Sequence, residues 1–425
     1  MSELDVPEQG GAAGEPPDAP TAQLMGGLGL FAGRVGAAGL LFAANLFLAR
    51  ALGPAEFGRY ALSLSILTFV ALFLDLGHFS SGARLLTQLD NHGERARGLI
   101  GTLLAGTALV SGAFVLVVVG LSFLVDRVFD EDIGGILRGT IFLAPAVIFP
   151  LLMEQVLKAL DRSRQLALWN LGSRVIFLAT VVALSINERL DALTATSAYL
   201  VGTVAATVLA IPSLHPRFAG WRAQYAELRA EHDRFGRPLY AGRLANLASY
   251  RTDVWFLAYF RDASAVGQYT LAMSFANLIA FYSQSLATTA FRQLAREQMV
   301  PRRLIRANLL GIVALGVLAT IVGETIVLLF LGPAYAPVGW IIPLSVIAIA
   351  LQGSYQPYNS WLLANGFGAE LRSFLVVVAA INLAANALLI PLTGALGAAV
   401  ASCFGMGAYL LMARRTVTRL VSART

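Results

Sequence analysis

Apolar runs of bilayer length, separated by short polar turns, recur along almost the whole chain. A membrane-crossing helix needs roughly 20 apolar residues. Twelve stretches meet that need, at 27–49, 60–81, 99–124, 137–157, 166–186, 193–213, 238–259, 268–291, 309–331, 340–364, 371–390 and 396–413. Several follow one another through tight Gly/Pro turns, such as Leu52-Gly53-Pro54 and Leu331-Gly332-Pro333. The pattern predicts an all-α polytopic membrane protein.

The apolar pattern also repeats. At an offset of 209, Phe47-Leu48-Ala49 matches Phe256-Leu257-Ala258, and Gly58, Tyr60, Leu62 and Ser65 match Gly267, Tyr269, Leu271 and Ser274. The same offset places Arg34 on Arg243. Six spans per half is an even number, so the halves share one orientation and the repeat is parallel. The expected organisation is a disordered tail (1–24), a six-helix lobe (25–213), a linker (214–237), a second six-helix lobe (238–413) and a short tail (414–425).

Composition agrees with a bilayer environment. Apolar residues make up 57% and charged residues only 13%, where a soluble domain carries about 25% charged. Mean hydropathy is +0.69. The net charge of +6 reflects orientation rather than nucleic-acid binding. Of 31 Lys and Arg residues, 21 fall in or at the edge of loops after even-numbered spans or at the C-terminus, 6 in or at the edge of the opposite loops, and 4 deeper inside spans. That asymmetry predicts cytoplasmic termini. Residues 1–23 hold five acids and no basic residue, unlike a signal peptide. Cys403 is the sole cysteine and the four histidines lack ligand spacing, so neither cofactor nor metal is expected. No Walker-type loop, acidic metal cluster or Ser/His/Asp set is present. The opposite loops are too short to hold a catalytic site, which argues against an enzyme such as a polymerase or ligase. The linker places Trp221, Tyr225 and Leu228 against Arg222, Arg229 and Arg234, the pattern of an interfacial segment.

Charges within spans are the candidate chemistry, because a charge at mid-bilayer normally faces protein or water. Arg34 and Arg243 occupy equivalent places in the two halves and are expected to face each other across the pseudo-axis. On a continuous seventh helix Arg243, Asn246, Tyr250 and Asp253 fall within a sector of roughly 80°, with Arg251 on the other flank. Arg174 is a third intramembrane cation, placed to meet a ligand or to pair with Glu154 or Asp75. Asp75, Glu154 and Asp253 are candidates for charge balance or for a coupling proton or cation, with a structural salt bridge the plain alternative.

The run from Ala51 to Tyr60 (ALGPAEFGRY), followed by Asp75-Leu76-Gly77, resembles the first helical pair of Wzx-type polysaccharide flippases. Arg251-Thr252-Asp253 and Ala265-Val266-Gly267-Gln268-Tyr269 resemble that family's seventh helix and following turn, and the passage from Pro391 to Ala399 its penultimate turn. The pairs of residues around Asp161-Arg162 and Asn365-Gly366 are similar to its paired cytoplasmic turns. The family shares a superfamily with MATE antiporters and MurJ-type lipid II flippases. The resemblance implies two six-helix bundles in a V, with a cavity between helices 1, 2, 7 and 8. It implies translocation of a polyprenyl-pyrophosphate-linked oligosaccharide across a bacterial or archaeal cytoplasmic membrane, with Arg34 and Arg243 matching cavity arginines by helix and depth. Membrane lipids, a polysaccharide polymerase and glycosyltransferases are the implied partners, and nucleic acid is not. The competing transporter reading is an ion-coupled MATE-type antiporter of cationic small molecules, against which the symmetric arginines argue.

Overall fold

The computed structural model describes residues 19–89, 93–129, 131–237, 240 and 251–422, with side chains from residue 36 onward except 292. Its α-helices are α1 (Ala19–Leu74), α2 (His78–Leu86), α3 (Glu94–Val128), α4 (Ile133–Gly139), α5 (Phe149–Ala159), α6 (Ser163–Ile186), α7 (Ala192–Ala210), α8 (Trp221–Glu231), α9 (Thr252–Phe260), α10 (Ala263–Leu294), α11 (Arg302–Ile326), α12 (Val338–Ala364), α13 (Gly368–Thr393) and α14 (Ala395–Ser422). Among the described residues, eight helical runs are long and apolar enough to cross a membrane, or nine if a bent pair is one span. The protein is therefore a multi-pass, all-helical membrane protein.

Several expected spans change shape. The first, and the second as far as Leu74, lie inside α1, which turns at Gly53 (φ 73, ψ 173). Pro54 disfavours helical geometry at the preceding residue and has no N–H to donate, and glycine alone reaches that backbone conformation easily. The same Leu-Gly-Pro device recurs at Gly332 (φ 82, ψ −177). The stretch 60–81 is not one helix, because Asp75-Leu76-Gly77 interrupts it with positive φ at Leu76 and Gly77. The stretch 137–157 is not straight either: the segments on either side of residues 140–143 are bent by 91°. The last helix runs to Ser422, well past the expected end at 413. Of the seventh stretch, 238–239 and 241–250 lie outside the described residues, and α9 covers 252–259.

The packing shows how the halves meet. One continuous core joins Leu48, Phe57 and Leu62 of the N-terminal half to Leu257, Leu271, Phe275 and Ile341 of the C-terminal half. All lie toward the arginine-poor end. At the arginine-rich end the C-terminal half has a separate core of Leu294, Trp361, Phe374, Tyr409 and Val417. The shared core continues through the N-terminal half to its arginine-rich end, at Leu86, Leu160 and Leu228, and the C-terminal half's core at that end is not joined to it.

The linker helix α8 packs on α2 and α3. Leu228 is buried against them, while Trp221 and Tyr225 are exposed, so the three apolar residues do not share one environment. Arg95 pairs with Glu227 at 3.2 Å, Arg84 with Glu231 at 2.9 Å, and Arg217 with Glu94. Two glycines of α3 admit this segment: a Cβ on Gly101 would lie 2.0 Å from the Arg217 carbonyl oxygen, and one on Gly98 2.1 Å from Gln224.

Candidate functional site between the two halves

Four helical passes converge between the halves. The Trp255 indole N–H donates to the Ser65 hydroxyl at 3.1 Å, and the same indole meets Phe69 edge-on at 4.6 Å. The Tyr240 hydroxyl donates to the Phe73 carbonyl at 2.6 Å. Phe42 meets Phe275 edge-on at 5.0 Å. Tyr240 and Trp255 therefore both meet the second part of α1, and α10 lies against both parts of α1. These are the two repeated passes of each half, set against one another.

Near their contact both repeated passes are broken. In the N-terminal half Asp75 stands at the end of α1, buried, with its carboxylate accepting from the Phe79 N–H at 3.4 Å and its carbonyl from His78 N–H at 2.8 Å. It serves the start of α2 rather than lying within a helix, as 60–81 had implied. In the C-terminal half Arg251 has φ 55 and precedes α9. A single-helix phase therefore does not extend from residue 243 to Asp253, and the polar stripe expected there does not continue across Arg251. Broken passes at membrane depth persist where protein or a water-filled cavity satisfies the freed backbone groups.

Two charged groups lie near the repeated tyrosines, one in each half. The Arg174 guanidinium lies 4.8 Å from the centre of the Tyr199 ring. Tyr199 in turn packs on Phe177, and Phe177 stacks on Tyr60. This is a cation–π contact, worth about 0.5–2 kcal/mol, where a ligand or a pair with Glu154 or Asp75 had been the expectation. Glu154 instead pairs with Lys158 at 2.5 Å, both side chains about half exposed. In the C-terminal half Asp253 accepts from the Tyr269 hydroxyl at 2.6 Å, and that hydroxyl also lies 3.3 Å from the Ser402 hydroxyl. Tyr60 and Tyr269 are repeat equivalents. One aromatic position thus belongs to a cationic cluster in one half and binds a carboxylate in the other.

The Arg34 side chain and residues Arg243, Asn246 and Tyr250 lie outside the described residues. Arg251 and Asp253 are described, and Asp253 takes its hydrogen bond from Tyr269. Tyr269 and Tyr199 were not among the expected site residues. Tyr269 was signalled by the repeat itself, whereas Tyr199 carries no local sequence mark.

Among the described residues no group of His, Cys, Asp and Glu could hold a metal ion.

A model of the family described as polysaccharide biosynthesis protein matches residues 24–291. No curated protein matches significantly. Among solved structures, the lipid II flippase MurJ in an inward closed conformation superposes with a TM-score of 0.72 at 13% identity, over 93% of this chain and 87% of that one. An inward-facing multidrug resistance MATE family transporter of the MOP superfamily gives 0.69 at 12% identity, over 92% and 96%. A Vibrio cholerae MATE transporter, VcmN in the bent form, gives 0.56 at 13% identity, over 95% and 97%. At these identities the likeness is one of fold.

Proposed function

Starting from a chain that belongs to the polysaccharide biosynthesis protein family and has a MurJ- and MATE-like fold, we propose that it is a flippase. It moves a polyprenyl-pyrophosphate-linked oligosaccharide from the inner to the outer leaflet of a cytoplasmic membrane by alternating access between two six-helix lobes (25–213 and 238–413), with both termini cytoplasmic. The observation that carries this reading is the packing of the repeated passes. The halves share a core toward the arginine-poor end, and the C-terminal half's core at the arginine-rich end is not joined to it. In this reading a slot between them opens toward the side the arginine asymmetry assigns to the cytoplasm, where lipid-linked sugars are assembled, with the Tyr240–Phe73 hydrogen bond a contact to be released there.

A pyrophosphate cannot cross hydrocarbon bare. Guanidinium groups suit it because they stay charged when desolvated and present a planar fork of donors. Arg34, Arg243, Arg251 and Arg174, with Asn246 and Tyr250, form the cationic lining in this reading, while Asp75, Asp253 and Glu154 balance the charge. Glu154, already paired with Lys158 near the surface, has the weakest support of these. The lipid tail stays in the bilayer while the head passes between the lobes. No ATP site is needed: the membrane potential, an ion gradient or removal of product can drive the cycle.

The test is a reconstituted flipping assay in proteoliposomes with a fluorescent polyprenyl-pyrophosphate sugar. Arg34→Ala and Arg243→Ala are each expected to abolish transport while insertion and monodispersity persist. Near-normal transport in both would overturn the cationic-slot reading. Transport of cationic dyes against a sodium or proton gradient, with no glycolipid movement, would favour the antiporter reading that the part-buried Asp253–Tyr269 pair also fits.

A further inference from the structure

The arginine-poor end is closed by two contacts that mirror each other across the repeat. In the first, Glu131, in the loop between α3 and α4, reaches the opposite half. Its carboxylate accepts from the Ala263 N–H at 2.8 Å, at the first residue of α10. Its second oxygen is 3.3 Å from Arg59 Nε, and Arg59 also pairs with Glu56 at 2.6 Å. Glu56 in turn accepts from the Ala192 N–H at 3.0 Å, which fixes the group to the start of α7.

In the second, Tyr335, in the loop after α11, reaches back. Its hydroxyl donates to the Ala49 carbonyl at 2.8 Å, one turn before the Gly53 kink. Beside it the Arg50 guanidinium lies 4.3 Å from the centre of the Phe330 ring. The α3–α4 loop and the α11–α12 loop hold matching places in the two halves. So do the Gly53 turn and the Arg261–Asp262 turn, each joining two repeated passes. Each half therefore uses its third connection to hold the junction between the other half's first two passes.

In both contacts a side chain of one half bonds the backbone of the other. Glu131 satisfies one of the orphan N–H groups that every helix N-terminus leaves, and a negative charge is favoured at that place. Asp262 already caps the same helix from within its own half, through Ala265 N–H at 2.7 Å. The start of α10 is thus capped from both halves, Ala265 N–H by its own half and Ala263 N–H by the opposite one. Tyr335 is almost fully buried and its ring would pack without the hydroxyl, yet the hydroxyl is aimed at a carbonyl of the other half.

We propose that Glu131 and Tyr335 are paired latches of the arginine-poor end, and that releasing both is the step that opens that end of the slot. They are positioning residues: they set the balance between the two access states and touch no substrate. The inference uses the alternating access of the proposed function, but its test needs no substrate, so a wrong substrate would leave it standing.

Reporters can be placed on a background in which the single native cysteine is removed by Cys403→Ala. Ala263→Cys reports the arginine-poor junction, where the residue is fully buried. Phe73→Cys reports the arginine-rich end, where the residue is 49% exposed. Full-length protein in lipid nanodiscs is labelled with a maleimide, with and without Tyr335→Phe and Glu131→Gln. Tyr335→Phe deletes one hydroxyl and keeps the ring; Glu131→Gln keeps an acceptor for Ala263 and loses the ion pair with Arg59.

Loss of one such bond is expected to raise labelling at position 263 about 2- to 10-fold. The double variant is expected to exceed either single one, with a reciprocal fall at position 73. Unchanged labelling at 263, or a rise there with no fall at 73, would overturn the proposal, because local loosening alone would not close the far end.

Discussion

Gly58 and Gly267, equivalent positions of the repeat, face each other backbone to backbone where the two halves cross. A Cβ on Gly58 would lie 1.7 Å from the Ala263 carbonyl oxygen, and one on Gly267 would lie 2.1 Å from the Pro54 carbonyl oxygen and 3.0 Å from Gly58 N. Each pass is admitted because the other has no side chain at that point, and the obstructing atoms are backbone that no rotamer change can move. Gly58→Ala is expected to destabilise by at least the 1–3 kcal/mol typical of overpacking, roughly. Gly112→Ala, with nothing within 4 Å of the new methyl, is expected to be neutral or mildly stabilising. Thermal unfolding in detergent measures both. Equal melting temperatures would show that the crossing is looser than described.

Arg174 provides a second prediction. Its guanidinium is held by an aromatic ring rather than by an acid, so its charge remains available to an anion. Arg174→Lys keeps the charge and loses the planar fork and most of the stacking. It is expected to retain the fold and to lose at least tenfold in flipping rate, whereas Arg174→Gln should lose more. If both variants transport normally, Arg174 is only a packing group.

The Tyr269 hydroxyl ties Asp253 to the body of the C-terminal half. Tyr269→Phe leaves that carboxylate without its 2.6 Å donor. The expected cost is about 1–3 kcal/mol. Adding Asp253→Asn to Tyr269→Phe should recover part of it, because a neutral amide is less costly to leave under-bonded. A double-mutant cycle read by thermal unfolding checks this, and strict additivity would count against the pair.

Between the linker and α3 the decisive atoms are again those of glycine. Gly101→Val would drive a side chain into the Arg217 carbonyl, 2.0 Å from the position of the first added carbon. The linker is expected to lift off the N-terminal half, and limited trypsin digestion should then cut after Arg217 or Arg222 several times faster than in the parent. Unaltered digestion would mean that the ion pairs of Arg95, Arg84 and Arg217 hold the segment without the close approach.

What could be read in the chain, and what could not, divides along locality. The Leu-Gly-Pro turns at 52–54 and 331–333 carry their reason on the surface, because proline and glycine leave the backbone few alternatives. Gly77 marked the end of the second pass just as openly, yet the apolar residues on both sides drew a single span through Asp75. Arg251 carried no warning. Arginine has no preference for positive φ, so its left-handed turn reflects packing that a helical wheel does not contain. The repeat displayed Gly58 and Gly267 as equals, but equality of sequence does not say that two positions touch. Glu131 was an ordinary loop acid, and its partner stands 132 residues away. Arg174 was legible as a buried charge, while Tyr199 as its support was not.

The unlike neighbours of Tyr60 and Tyr269 have an electrical consequence. A guanidinium sits in one half and a carboxylate in the other. If the halves rock in opposite senses, a positive charge travels one way while a negative charge travels the other. Their displacements add as current rather than cancel. Each unit of charge carried across the full field responds by about 2.3 kcal/mol per 100 mV, so the resting potential of an energised cell would itself tilt the equilibrium between the two access states.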